Sequence, residues 1–235
     1  MKKKEVESLS IVIPLYNSEE TLTKELLQIE SILSKRDHTF EIVVVDDKST
    51  DRSSEMLKIF IKRKNFRVYL NKRNLGIAKN LKRAYGLAKM DYIVLYSVDG
   101  DWEYSDINKL IKKTEESNAD IVIGERSSKN GYTIYRKIVS YSHNKIPFLL
   151  FGTDTIDAAS IKIFKRSVYR SINLRSESVF REAEFIIKSK RRGYVIKKTK
   201  VSYFKKSKKK KNFIPLALLY DSFKDAIRLR LHPDA

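Results

Sequence analysis

The segment Glu41 to Val45 carries an unbroken β-branched run, Ile42 to Val45, that ends on two adjacent aspartates, Asp46 and Asp47. A strand with no polar face must be covered on both sides, and sheets of that kind are built from parallel strands joined by helices. The rest of the first half keeps to this rule. Ser10 to Leu15, Phe66 to Leu70 and Tyr92 to Tyr96 read as strands with short connections. Between them Leu22, Leu26, Ile29 and Leu33 line one helix face, Met56, Leu57, Phe60 and Ile61 a second, and Ile77, Leu81, Ala84 and Ala88 a third. Beyond Tyr96 a helix starts near Asp106 with Ile107, Leu110 and Ile111 inward, and a strand covers Asp120 to Ile123. The expectation is an α/β fold, a mostly parallel central sheet with helices on both faces.

The second half is patterned less sharply. Tyr132 to Phe151 reads as a helix, Ile161 to Phe164 as a strand, Phe180 to Lys190 as a helix stopped by Gly193, and Val195 to Phe204 as an outer strand. Ile214 to Leu231 places Leu216, Leu219, Tyr220, Phe223, Ile227 and Leu231 on one side, a C-terminal amphipathic helix beside Lys208 to Lys211. The division expected is a catalytic domain over residues 1–204 and a basic, amphipathic tail over 205–235.

Bulk properties exclude several classes. With 235 residues and 42% hydrophobic content the chain can bury one substantial core. It has no cysteine and 3 histidines, so disulfides and thiolate metal sites are absent and a zinc site is disfavoured. The basic start lacks a signal-peptide core and no apolar run is long enough to span a bilayer, which points to a cytoplasmic protein. A formal net charge of +20 predicts attraction to polyanions: nucleic acid, anionic lipid or phosphorylated substrates.

Polar clusters follow four successive strands: Pro14, Tyr16 and Asn17, then Asp46 and Asp47, then Asn74 and Gly76, then Asp99 and Asp101. In doubly wound sheets, ligands bind beyond these carboxyl ends, so the clusters argue for a nucleotide cleft. The sequence has no Gly-x-Gly-x-x-Gly and no Walker lysine loop. Asp99 and Asp101 repel each other unless a cation lies between them, and hard Mg2+ or Mn2+ takes carboxylate oxygens together with substrate phosphates. The plainer alternative is an acidic loop in which Ser105 or Asp106 caps the next helix. Asp46 and Asp47 have the same capping alternative, and Pro14 and Tyr16 a turn-and-packing one.

Together these segments resemble the GT-A fold (nucleotide-diphospho-sugar transferase) of the family-two glycosyltransferases. The resemblance is nearest to the polyprenyl-phosphate sugar transferases of the dolichol-phosphate mannosyltransferase type and covers about Ser10 to Phe204. It implies that Pro14 and Tyr16, in IVIPLYNSEET, pack on the nucleotide base and that Asp47, in EIVVVDDKSTDRS, bonds the base or ribose. NLGIAKNLKRAYGLAKMDYI is similar to the turn and helix before the metal motif. That motif fits DGDWEYSDINKLI in two registers, one opening on Ser97 and one on Asp99; both keep Asp99 and Asp101 near the metal and leave Ser97 and Glu103 as lesser candidates. Gly124-Glu125-Arg126 resembles the family's Gly-Ser-Arg, with Arg136, Ser140 and Asn144 following toward the acceptor. Asp157 corresponds to an aspartate near the anomeric carbon, and Glu182 or Glu184 to the family's acidic helix. FKKSKKKKNF replaces the usual arginine and glycine-serine loop, so lysines would hold the diphosphate there.

The implied reaction is inverting displacement at the anomeric carbon of a UDP- or GDP-linked sugar. A polyprenyl phosphate acceptor is already ionised and needs no strong base, with Arg126 and Arg136 positioning it. A sugar hydroxyl, as in surface polysaccharide or lipopolysaccharide synthesis, would need a base, with Asp157 the first candidate. The amphipathic helix and lysines would attach the protein peripherally to an anionic membrane surface at the cytoplasmic face, or the helix would dock on the sheet; a membrane-spanning partner subunit is left open. A nucleic-acid binder explains the charge but not the acidic strand ends, which would repel phosphates. A receiver-like domain would be shorter and would want an aspartate where Asn71-Lys72-Arg73 stands.

Overall fold

The computed structural model describes residues 5–99, 102–126, 147–152, 157–202 and 216–232. The elements run β1 (Ser8–Leu15), α1 (Leu22–Leu33), β2 (Thr39–Asp46), α2 (Ser53–Met56), α3 (Lys58–Ile61), β3 (Phe66–Leu70), α4 (Ile77–Leu87) and β4 (Tyr92–Leu95). They continue with α5 (Asp106–Ser117), β5 (Ile121–Arg126), β6 (Lys162–Lys165), α6 (Arg166–Ser171), α7 (Arg181–Arg191), β7 (Ile196–Val201) and α8 (Leu216–Leu231).

Among the described residues one sheet of 7 strands, ordered β3-β2-β1-β4-β6-β5-β7, carries the fold. Its left side is parallel, with β1 flanked by β2 and β4 and β2 by β3. β6 enters antiparallel between β4 and β5, and β7 closes the far edge parallel to β5. The expected α/β architecture, mostly parallel with helices on both faces, is what the chain forms.

The β-branched run explains the layering. Successive side chains of a strand point to opposite faces, so Ile42 and Val44 enter one core layer with Leu26, Ile29, Leu110 and Ile111 of α1 and α5. Val43 and Val45 enter the other, with Leu81 and Ala84 of α4 and Phe185 and Ile186 of α7.

Two regions differ from expectation. The helix read through Met56, Leu57, Phe60 and Ile61 is two short turns, α2 and α3, that bury Leu57 and Phe60 but leave Ile61 exposed. A stretch this short gains little from helix propagation, and packing of two apolar residues decides its shape. The expected helix over Tyr132 to Phe151 lies largely outside the described residues; residues 147–151 of it are helical. The C-terminal helix is present, and its Ala226 and Leu229 are buried in the second core layer. Among the described residues no helix is long and apolar enough to cross a membrane.

Candidate functional site

A cleft of about 240 Å3 opens beyond the carboxyl ends of the central strands. Pro14 of β1, Ser97 and Asp99 after β4, and Arg126 at the end of β5 line it, as does Ile77 at the start of α4. The opposite wall is Ser160 and Ile161 before β6, together with Ser178, Arg181 and Glu182 at the start of α7. The sheet sets this up: strands that run parallel end at the same rim, and the residues after them must face one another.

Of the residues expected from sequence, Pro14, Asp99 and Arg126 meet in the cleft, with the lesser candidate Ser97. Asp99 is exposed at the mouth. Asp157 joins them through Arg126, whose Nε lies 3.0 Å from its Oδ2 in a mostly buried ion pair. The Arg126 guanidinium also lies 5.3 Å from the centre of the Trp102 ring, a cation–π contact that fixes its plane. Trp102 is the chain's one tryptophan and is buried on the cleft wall. Asp101 and Arg136 lie outside the described residues, as do Ser140, Asn144 and the lysines of FKKSKKKKNF.

The remaining expected residues knit the adjoining loops. Asp46 Oδ1 accepts from the Ser49 amide (3.2 Å) and hydroxyl (2.5 Å), and its Oδ2 accepts from the Ser54 hydroxyl. Asp47 accepts from Asn71 Nδ2 and the Leu75 amide, each at 2.8 Å, and from the Gly76 amide at 2.9 Å. Asn17 clips the first loop to the second: its amide donates to Ser49 Oγ at 2.9 Å, and its Oδ1 accepts from the Thr50 amide at 2.8 Å. Gly76 has φ +79 with open space where a Cβ would stand, so the backbone conformation rather than crowding selects glycine. Tyr16 is half exposed beside this knot. Among the described residues Asn17, Lys48, Asn118 and Asp157 also hold positive φ without being glycine; Asn118 ends α5, while Asn17 and Lys48 follow β1 and β2 and Asp157 pairs with Arg126. Backbone strain of this kind collects where a site is held in shape.

The capping alternative for the acidic turn does not hold at Ser105, whose side chain makes no cap hydrogen bond. Asp106 is wholly buried and accepts from the Ser202 amide at 2.7 Å, tying α5 to the end of β7.

Sequence reasoning left Glu182 and Glu184 as equals, and the structure separates them. Glu182 lines the cleft, where its Oε2 accepts from Lys162 Nζ at 2.5 Å and from the Tyr85 hydroxyl at 3.0 Å. Lys162 is 0% exposed, a buried ammonium with a carboxylate partner. Burial, with the Glu182 charge added, pushes the Tyr85 phenol well up, so it stays a donor. Glu184 turns away and accepts from the Arg175 and Ser176 amides while pairing with Lys188 at 2.9 Å. Burial raises its carboxyl, but these bonds outweigh burial and hold it below the usual value. On the other wall Tyr96 lies 3.3 Å from Glu25 Oε2, and burial followed by that carboxylate pushes its phenol up. Lys162, Tyr85 and Trp102 were missed. Only Trp102 carried a signal, a lone tryptophan directly after the acidic turn.

Comparison with known proteins locates this architecture. A profile described as Glycosyl transferase family 2 matches residues 10–172. The dodecaprenyl-phosphate galacturonate synthase of Rhizobium johnstonii is 25% identical over 174 residues, 72% of this chain and 51% of that protein. Mannosyl-3-phosphoglycerate synthase from Rubrobacter xylanophilus superposes with a TM-score of 0.73 at 16% identity, over 97% of this chain and 76% of that one. Glucosyl-3-phosphoglycerate synthase from Mycobacterium tuberculosis, solved with Mn2+, UDP and phosphoglyceric acid, gives 0.69 at 16% identity, over 97% and 78%. The last two show a shared fold. The chain spans about half the length of the curated relatives it matches.

Proposed function

The chain belongs to glycosyl transferase family 2, and from that premise we propose that it moves a sugar from a UDP- or GDP-linked donor to a polyprenyl phosphate at a membrane surface. The pairing of the cleft carboxylates carries this reading. Asp157 is paired with Arg126 and Glu182 with Lys162. Each of these carboxylates already has a cation at one of its oxygens, whereas a sugar-hydroxyl acceptor would call for a carboxylate as base. A phosphate acceptor asks for none, because it arrives ionised.

In the step itself an acceptor phosphate oxygen attacks the anomeric carbon, the bond from that carbon to the diphosphate oxygen breaks, and nucleoside diphosphate leaves. A single displacement inverts the configuration. Arg126, held in plane by Trp102 and Asp157, positions the acceptor phosphate, with Arg136 as its partner in that role. Pro14, Tyr16, Asn17 and Gly76 form the nucleotide side of the site, where Asp46 and Asp47 hold the loops in register.

A hard divalent ion fits the donor set, which is oxygen-only in a chain without cysteine. Among the described residues no group of three or more acidic or histidine side chains is poised for a metal, and Mg2+ or Mn2+ needs only one or two carboxylates when substrate phosphates complete the shell. Asp99 and Asp101 would hold it, and it would supply countercharge for the leaving diphosphate. The rival reading, transfer to a sugar hydroxyl in polysaccharide or lipopolysaccharide synthesis, gains support from the place of Glu182 on the cleft wall.

Thermal shift with UDP-, GDP- and TDP-sugars, with and without Mn2+, identifies the donor, and a metal-dependent shift with one nucleotide is expected. Labelled donor is then offered with undecaprenyl phosphate or with a free oligosaccharide. Label entering the organic phase supports the proposal, and label found only on the oligosaccharide overturns it.

A further inference from the structure

The two faces of α8 meet different surroundings. Ser222, Ala226 and Leu229 are buried against the domain. On the same helix Asp225 reaches the turn in front of α7, where its Oδ2 accepts from the Glu177 amide (3.1 Å), the Ser178 amide (3.1 Å) and the Ser178 hydroxyl (2.7 Å). Ser178 and Val179 line the cleft, and Ser178 Oγ also accepts from the Phe180 amide at 3.2 Å, where α7 begins. The start of the acceptor-side wall therefore hangs from α8 by one carboxylate.

The other face carries an apolar stripe that stays exposed. Tyr220, Phe223 and Leu231 stay 69%, 50% and 68% exposed, at spacings that align them along one stripe. Lys224, Arg228 and Arg230 flank the stripe and are exposed, and Lys208 to Lys211 precede the helix in sequence. Phe148 and Leu149 add exposed apolar surface from residues 147–151, where Phe151 packs against Phe180. Aromatic and aliphatic side chains bordered by cations, on a chain of net charge +20, match an anionic lipid interface: the hydrocarbon boundary takes the stripe and the headgroups take the charge.

We propose that α8 docks on an anionic bilayer through Tyr220, Phe223 and Leu231, and that Asp225 passes this docking to the cleft, ordering the Ser178 to Val179 wall for an acceptor presented from the lipid. This rests on the reading of the site as a transferase acting on a lipid-borne phosphate. Coupling requires an element that both events bias, and the Asp225 bonds supply it: a helix held at the interface holds the turn, and a fraying helix releases it. Asp225 is a positioning residue, since it acts through Ser178.

The test uses the full chain with phosphatidylcholine vesicles, alone or containing phosphatidylglycerol, read by co-sedimentation and hydrogen exchange. Binding to the anionic vesicles is expected, with slowed exchange at the Glu177 and Ser178 amides. Replacing Tyr220, Phe223 and Leu231 together by Asp should weaken vesicle binding by at least about tenfold. Asp225→Asn should bind vesicles like the wild type, show no slowing at those amides, and raise the acceptor KM with little change in kcat; Asp225→Glu should restore part of both. No vesicle binding by the wild type, or binding without slowed exchange at 177–178, overturns the proposal, and both readouts survive any failure of Asp225→Asn to fold. Vesicle binding and slowed exchange with no lipid-phosphate product would sink the proposed acceptor and leave the coupling standing.

Discussion

Lys162 is the residue whose chemistry reaches furthest into the function. A fully buried ammonium survives only with a partner, and removing one member of such a pair strands the other charge at a cost of about 3–5 kcal/mol. Lys162→Met is therefore expected to lose on the order of 3 kcal/mol in urea unfolding, while Lys162→Met with Glu182→Gln, which neutralises both, recovers most of it. Activity supplies the second half of the argument. If Glu182 acted as base, the Lys162→Met, Glu182→Gln double variant, which strands no charge, would lose nearly all turnover; on the phosphate-acceptor reading it keeps kcat within about tenfold of wild type, and steady-state rates decide between them. Asp47 teaches a different lesson. The sequence showed an aspartate at a strand end but not that its carboxylate accepts from two backbone amides and Asn71. Side-chain-to-loop bonds across nearly thirty residues leave no local pattern. Asp47→Ala should cost about 2 kcal/mol of stability and weaken donor binding by loosening the 74–76 turn, as thermal melts and nucleotide titration would show.

At the scale of elements, β1 to β4 with α1 and α4 were legible because each is written by its own periodicity, whereas β6 was legible as a strand but not in its antiparallel place, which depends on partners far along the chain. Its neighbour β5 shows what that place demands. A Cβ on Gly124 would stand 3.0 Å from the Ile161 carbonyl oxygen and 2.9 Å from Val201 Cγ2, so the strands meet only over a glycine. Gly124→Ala should destabilise by about 1–3 kcal/mol and disturb the cleft as well, since Ile161 and Arg126 flank it. Helix α7 carries a pH-dependent clamp in Glu184. Its carboxyl is held below its usual value in the folded chain, so the stability it contributes is present above the unfolded value near 4.5 and is lost as pH falls through the folded one. The stability deficit of Glu184→Gln should be full at neutral pH and shrink on acidification below that value, a trend that pH-resolved chemical denaturation reads directly.

For the whole molecule, a net charge of +20 acts on folding and on binding with opposite signs. Ion pairs such as Arg63 with Glu30 and Lys198 with Glu125 stabilise locally, but exposed pairs contribute little and cations exceed anions by 20 over the whole chain, so self-repulsion dominates the long-range energy. Salt that shortens the screening length to about 8 Å relieves repulsion between distant lysines more than it weakens close pairs. The melting temperature should therefore rise by a few degrees between low and physiological ionic strength, where a fold held together by its surface ion pairs would fall. The same screening removes the attraction between the cationic surface and anionic headgroups, each exposed lysine or arginine near the bilayer being worth about 1 kcal/mol before screening. Vesicle binding should thus weaken over the range in which the fold gains stability. Calorimetry and co-sedimentation on one salt series test both trends together, and a melting temperature that drops with added salt would show that paired charges, not the excess, set the electrostatics of this chain.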